Sequence, residues 1–488
     1  MKPVGPRPVG PPGPSPFFRK GGDAPLGIRF GTDGWRAVLA EEFTLAAVRR
    51  AAAGAAAVWR QDAGAGALVL VGHDTRFMGA TFARAVAAAL AGAGLEARLC
   101  PHPLPTPAVS FAVRVAGAAG AVVVTASHNP PQWNGLKLKG PHGGPVDEAF
   151  TGRVEAAVPE AEPPLGEPAG TFEPLPAYRA RLRELGGLDA IVAARPRVIC
   201  DPMHGSGAGL LVGLLREAGL VAREIRSAPD PEFGGLRPEP IAPNLAPLQA
   251  AVRASIAPAV GLATDGDADR VGAVDESGAI VDAQRIFSLL LRHLARDRGL
   301  RGTVAKTYAV TDMVDELAAR MGLPLRILPV GFKHVTAVAL REPLLIGGEE
   351  AGGIGVGVHL PERDGILCGL LLLSAMARAG CGLRELVADL LAELGPHVYG
   401  RLDLHLSERE RAAAMAALRE PPSALAGLDV TSVERLDGVK VRFGTHGWLL
   451  WRPSGTEPLL RVYAETDRED RLADLLRAGA AICRTEAP

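Results

Sequence analysis

The sequence predicts an α/β protein of three successive α/β domains followed by a smaller α+β domain. Three observations carry that prediction. Short continuous apolar runs, as expected of strands buried on both faces, alternate with Ala-, Leu- and Arg-rich stretches of helical length. Pro and Gly punctuate the chain at residues 159–168 and at Gly395-Pro396. Beyond Val398 the texture changes to alternating strands around a short turn. A chain of 488 residues also suits three or four domains at roughly 100–200 residues each.

The elements follow in order. Residues 67–72, A-L-V-L-V-G, form a buried strand; 81–91 a helix; 95–100 and 120–124 two further strands. The Pro/Glu-rich stretch 159–168 reads as a linker, which places the first boundary near 155. Strands at 198–201, 221–225 and 260–264 make a second set. A third contains a helix near 285–295, strands at 303–305 and 344–346, and helices through Leu394. Strands at 439–443 and 448–452 flank the turn 444–447, and 459–464 follows. The predicted division is a Pro/Gly-rich disordered tail at 1–25, then domains at 26–155, 156–282, 283–396 and 397–488. F-G-T-D-G-W at Phe30 is echoed by F-G-T-H-G-W at Phe443, but the second lies in a hairpin and the match reads as coincidence.

Composition excludes several functions. The 53 basic and 54 acidic side chains leave a net charge of −1, which argues against nucleic acid or an anionic membrane as main partner. Only 22 side chains are aromatic, too few for base-stacking platforms. Five scattered Cys without C-x-x-C spacing indicate buried thiols in a reducing, cytoplasmic compartment. The longest mostly apolar run, 366–377, is 12 residues, too short to span a bilayer. The first 16 residues hold seven Pro and three Gly and no signal-peptide core. Of the basic residues only seven are Lys, at 2, 20, 137, 139, 306, 333 and 440. Arg cannot shuttle a proton near neutrality and Lys can, so interior lysines are of interest.

Four loops, each beside an apolar strand, hold the chemistry, as α/β folds place ligands there. T-A-S-H-N-P (125–130) delivers Ser127 to a loop where it can act as a nucleophile; His128 is adjacent, and adjacent side chains of extended chain point apart, which makes it a poor base for Ser127. D-G-D-A-D-R (265–270) puts Asp265, Asp267 and Asp269 too close to stay unpaired without a cation, and hard oxygen ligands suit Mg²⁺. An EF-hand is rejected because Arg270 stands where that loop needs Gly. G-G-E-E-A-G-G (347–353) offers Gly348, Glu349 and Glu350 to sugar hydroxyls or is an acidic turn. R-P-S-G-T-E-P (452–458) is either an ordinary polar turn or, by composition, a phosphate cradle, with Arg452, Ser454, Gly455 and Thr456 as donors. G-S-G-A-G at Gly205 fails the dinucleotide pattern because position 210 is Leu.

Together, and in this order, these loops resemble the α-D-phosphohexomutases (phosphoglucomutase/phosphomannomutase), from about Phe30 to Ala464. The resemblance implies three similar α/β domains with mixed sheets and a smaller fourth around a central cleft. It implies that Ser127 carries a phosphoryl group, that Asp265, Asp267, Asp269 and the serine phosphate hold Mg²⁺, that 347–353 selects the sugar, and that 452–458 grips the distal phosphate. Arg36 in F-G-T-D-G-W-R would face the phosphoserine, with Arg270, Lys137 and Lys333 as further cations and His128 alongside in the catalytic group. Lys137, ten residues after Ser127, matches the family's general acid/base, a role that calls for a lowered pKa. The implied reaction interconverts hexose 1- and 6-phosphates through a hexose 1,6-bisphosphate, with glucose 1,6-bisphosphate as primer and hexose phosphates as the partners. No signal for an oligomeric state is present.

Two departures bear on selectivity. Ala351 stands where members usually carry Ser, which removes one hydroxyl. Gly353 stands where some bacterial mutases have His, which leaves a second proton-handling group either absent or supplied by Lys333. The Glu349-Glu350 pair is closer to glucose-selective members, so glucose is favoured over mannose or dual specificity. A sugar phosphohydrolase is disfavoured by the distal cradle, and a non-catalytic binder by the retained Ser127 and Asp residues.

Overall fold

The computed structural model describes residues 27–454 and 459–483. The tail expected at 1–25 lies outside the described residues. Four larger sheets occur in chain order, with a two-stranded hairpin of Ala424–Leu425 and Leu428–Asp429 besides them among the described residues. The first runs Trp35–Val38, Trp133–Lys139, Gly120–Val124, Leu68–His73, Glu96–Leu99, Gly170–Thr171. Its centre is parallel, and Trp133–Lys139 and Trp35–Val38 are added antiparallel at one edge. All five residues of Gly120–Val124 are buried, as an unbroken apolar run requires between two layers of helices. Thr44 caps the helix Leu45–Ala63 by accepting from the Ala47 amide at 3.2 Å.

The second sheet, Ile280–Val281, Val271–Val274, Val260–Thr264, Val198–Asp201, Ala222–Glu224, and the third, Leu325–Leu328, Thr303–Thr307, Leu344–Gly348, Ile354–Val356, repeat this plan. In each of the three, a buried strand of the parallel core turns back into an antiparallel neighbour. Those three hairpin turns are residues 125–132, 265–270 and 349–353, the candidate loops. The fourth sheet is antiparallel, Val398–His405, Leu459–Thr466, Trp448–Pro453, Val439–Arg442, Ser432–Glu434. Its segment 454–458 again joins two paired strands.

Three observations differ from expectation. The stretch 159–168 is no free linker: Gly166 donates to the Ala88 carbonyl at 2.9 Å, and Gly170–Thr171 joins the first sheet beside Glu96–Leu99. Composition reads only side chains, whereas an open sheet edge accepts any backbone. The third domain's strand runs on through Gly348, and the helix begins at Ala283 and ends in a wider turn at His293–Asp297. The second and third domains also share one hydrophobic core, centred on the helix Gly365–Ala379. From Gly365 through Met376 that helix is almost wholly apolar and is buried on every side. Among the described residues no single helix is long and apolar enough to cross a membrane.

The fourth domain docks on the third largely through polar groups. Lys440, buried over the rings of Tyr308 and Trp448, donates to the Tyr308 carbonyl at 2.8 Å. Arg442 pairs with Asp312 at 2.8 Å, and the Tyr399 hydroxyl donates to the Ala309 carbonyl at 3.0 Å. Lys306, also buried, pairs with Asp315 beneath this contact. Elsewhere Lys139 of the first domain pairs with Glu362 of the third, and both are fully buried. Removing one partner strands the other in the interior. Lys139→Met should cost about 3–5 kcal/mol, read as a lower calorimetric melting temperature. The Lys139→Met/Glu362→Leu double variant should recover most of it.

Candidate active site

The hairpin turns converge on one cleft, lined among others by Asp33, Arg36, His128, Glu239, Arg270, Glu349, Glu350, Arg363, Arg401, Arg452 and Arg461. Ser127 and the three aspartates lie immediately beneath its wall, each almost wholly buried.

Ser127 sits at φ 50°, a left-handed conformation held by its surroundings. Its amide donates to Thr125 Oγ1 at 2.9 Å, and Thr125 in turn donates to Asp74 Oδ2 at 2.5 Å. Arg76, buried beneath the loop, donates to four of its carbonyls: Ser127 at 2.7 Å, Asn129 at 2.6 Å, and Pro130 and Trp133 at 2.9 Å each. Burial pushes the Asp74 carboxyl up to about 6 although Arg76 opposes it. Ser127 Oγ donates to Asp265 Oδ2 at 2.7 Å, which joins the serine loop to the acidic loop. His128 Nδ1 lies 3.4 Å from Ser127 Oγ. The expectation that these neighbours point apart fails because Ser127 is not extended. Burial, then the charges of Arg270 and Arg36, hold His128 well below the usual histidine range, so its ring is neutral.

The carboxylate oxygens of Asp265, Asp267 and Asp269 lie within 4.8 Å of one another. Burial and its two neighbours raise Asp265 well above the usual carboxylate range. Asp267 is held below that range: burial opposes this, but Lys137 and a 2.5 Å hydrogen bond from Thr106 outweigh it. Asp267 Oδ1 and Asp269 Oδ1 are buried without a hydrogen-bond partner among the described residues. Three hard oxygen donors, two with an unsatisfied oxygen, fit a divalent cation.

Lys137 Nζ lies 2.7 Å from Asp269, 2.8 Å from Asp267 and 2.9 Å from Asp33. The expected lowering of its pKa is not what these neighbours produce. Burial would depress it, but the three carboxylates hold it well above the ordinary lysine value. Arg36 donates to Asn129 Oδ1 of the serine loop at 2.8 Å and pairs with Asp33 at 3.1 Å. Arg270 pairs with Glu239 at 3.2 Å.

Two further expectations are corrected. Lys333 lies beside the main cleft, in a smaller pocket that shares Thr32, Asp33 and Gly34 with the cleft wall, and pairs with Glu148 of the first domain at 2.6 Å. Gly348 ends its strand, packed so that a Cβ would come 2.9 Å from the Phe287 ring, and does not line the cleft. Glu349, Glu350 and Ala351 do. Arg452 and Ser454 line the opposite side, Arg452 held by Asp437 at 2.8 Å. Gly455 and Thr456 lie outside the described residues.

Arg363 was not singled out in the sequence, and it occupies the centre. Its guanidinium lies 2.7 Å from Asp33, 2.8 Å from Asp269 and 3.0 Å from Glu349, which come from the first, second and third domains. A Cβ on Gly353 would lie 2.5 Å from Arg363 Cδ, so the glycine leaves room for the arginine to cross the loop. The only sequence signal was E-R-D-G, three charges directly before the apolar run of 366–377. H-D-T-R, holding Asp74 and Arg76 directly after a buried strand, was a similar signal.

Family models tile this architecture. The phosphoglucomutase/phosphomannomutase α/β/α domains I, II and III match residues 27–164, 176–278 and 282–394, and the C-terminal domain of the same family matches 405–481. A phosphoglucomutase/phosphomannomutase of Thermococcus kodakarensis is 30% identical over 473 residues, 93% of this chain and 98% of the relative. The chain belongs to the phosphoglucomutase/phosphomannomutase family. A phosphoglucosamine mutase of Rubrobacter xylanophilus is 32% identical, over 91% of this chain and 94% of its own length. A solved structure from Thermus thermophilus, described provisionally as a phosphomannomutase, superimposes with a TM-score of 0.84 at 39% identity, covering 93% of this chain and 98% of that one. The protein is thus a phosphohexomutase, an isomerase acting on hexose phosphates.

Asp267→Asn should weaken Mn²⁺ binding, followed by electron paramagnetic resonance, by more than the roughly 10–100-fold lost with a partner behind a metal ligand. Cation binding at the native level would exclude Asp267 from the site.

Proposed function

We propose that the protein interconverts glucose 1-phosphate and glucose 6-phosphate through a phosphorylated Ser127. The observation that carries this reading is the placement of Ser127 Oγ, on a strained turn and 2.7 Å from Asp265 of the acidic loop, beneath a cleft lined by six arginines. Asp265, Asp267 and Asp269 would hold Mg²⁺, which supplies charge neutralisation to a phosphoryl group when bound.

The chain's own groups account for the rest. A hydroxyl oxygen of the sugar attacks the phosphorus of phosphoserine. The new sugar O–P bond forms as the Ser127 O–P bond breaks, which yields glucose 1,6-bisphosphate. Lys137, kept protonated at rest by its carboxylates, gives its proton to the departing oxygen and takes up the proton of the attacking hydroxyl, so it ends each half-reaction protonated as it began. After the intermediate turns over, Ser127 Oγ attacks the other phosphorus and recovers its phosphate. Arg36 and Arg270 flank the transferring oxygens, and His128 stays neutral beside Ser127. Arg452 and Ser454, with Gly455 and Thr456, receive the phosphate that is not transferred. Free glucose 1,6-bisphosphate would prime the dephosphorylated enzyme.

Glucose is favoured by the Glu349-Glu350 pair, which is closer to glucose-selective members of the family. Glu349 is engaged by Arg363, Asp33 by Lys137 and Arg363, Glu239 by Arg270, and Glu350 by Tyr463 and Thr307. Glu350 has only neutral donors, and both it and Glu349 keep lone pairs that can accept from sugar hydroxyls. Mannose is the second reading, favoured by Ala351, which offers no hydroxyl, and by the description of the Thermus protein.

Intact-mass measurement with and without phosphatase should show one phosphate adduct, and Ser127→Ala should lose it together with more than about 10³-fold of turnover. Turnover by the alanine variant at the native rate would overturn the assignment. Glucose 1-phosphate should show a higher kcat/KM than mannose 1-phosphate, and glucosamine 1-phosphate the lowest; the reverse order would reject glucose.

A further inference from the structure

The two carboxylates of the sugar loop are held from opposite sides. Glu349 is fixed by Arg363, inside the body formed by the first three domains. Glu350 is instead reached by the fourth domain: the Tyr463 hydroxyl donates to Glu350 Oε1 at 3.1 Å. Glu350 Oε2 has one weaker partner, Thr307 Oγ1 at 3.4 Å, and the backbone carbonyl of Glu350 accepts from Gln284 at 3.0 Å. Tyr463 is fully buried in the strand Leu459–Thr466, opposite Arg401 of the cleft wall, with its ring centroid 6.5 Å from that of Tyr399. Burial and the Glu350 charge keep its hydroxyl protonated, so it stays a donor.

We propose that Tyr463 is a positioning residue that aims Glu350 at the sugar only while the fourth domain is docked, so that the domain gripping the distal phosphate also sets sugar recognition. The inference rests on the reading of Glu350 as a sugar-binding carboxylate. Docking itself survives loss of the Tyr463 hydroxyl, because Lys440, Arg442 and Tyr399 hold the same interface away from the cleft.

Tyr463→Phe removes one oxygen and keeps the packing. Calorimetric titration of the full-length protein should show glucose 6-phosphate bound roughly tenfold more weakly, the loss expected with a hydrogen bond to a charged acceptor. The preference between glucose 6-phosphate and mannose 6-phosphate should narrow, and inorganic phosphate affinity and melting temperature should not change. In a Glu350→Gln background the same substitution should add little, since the tyrosine acts through that carboxylate. Native sugar-phosphate affinity and native epimer preference in Tyr463→Phe, or additive losses in the double variant, would overturn the proposal. Parallel turnover assays separate the two readings. Sugar binding lost as described without any native mutase activity would refute the proposed function alone; native turnover with unaltered binding by Tyr463→Phe would refute the positioning role alone.

Discussion

Four carboxylates, those of Asp33, Asp269, Glu349 and Glu362, surround the guanidinium of Arg363. Each is nearly dry, and a lone carboxylate in such a place costs several kcal/mol. One planar cation with five donors can serve several of them at once in a way a lysine ammonium cannot. Asp33 and Asp269 are shared with Lys137, so two cations and their carboxylates form a continuous lattice under the cleft. Through this lattice the Asp33 segment, the acidic loop and the sugar loop are tied to one another by ion pairs.

Above the lattice, the three α/β domains solve the same problem in the same way. A buried parallel strand reverses into an antiparallel neighbour, and the reversal carries the candidate site residues. A hairpin turn on a rigid sheet places a side chain more firmly than a long loop, yet still frees it from the sheet's own hydrogen bonding. The further backbone bridge between Arg270 and Gly353 ties the acidic turn directly to the sugar turn. The serine turn has no such bridge and is pinned from below by Arg76.

The elements legible in the sequence are those whose signal is local. Apolar runs marked the strands, and polar clusters beside them marked the four loops. The acidic loop's flanks were readable as strands, and they are the paired Val260–Thr264 and Val271–Val274. What was not legible depends on distant partners. Arg363 and Asp33 are 330 positions apart in the chain, and Tyr463 and Glu350 are 113. Lys333 was placed among the cleft cations by family resemblance, but it pairs with Glu148, a partner 185 positions away in the chain. The Ser127–His128 pair was misjudged because an extended backbone was assumed where a left-handed residue stands. Segment 159–168 was read as a linker from its composition, and an unsatisfied sheet edge captured the chain that follows it.

The lysines carry one more consequence. Lys137, Lys139, Lys306 and Lys440 are each 1% exposed or less, and Lys333 is mostly covered and engaged by Glu148. The solvent-facing positive charge of the described chain is therefore guanidinium, which acylating reagents ignore. A protein of this size ordinarily offers such reagents many attachment points. Among the described residues the fold covers the amines, so dyes, surfaces or crosslinkers coupled through lysine are directed to Lys2 and Lys20.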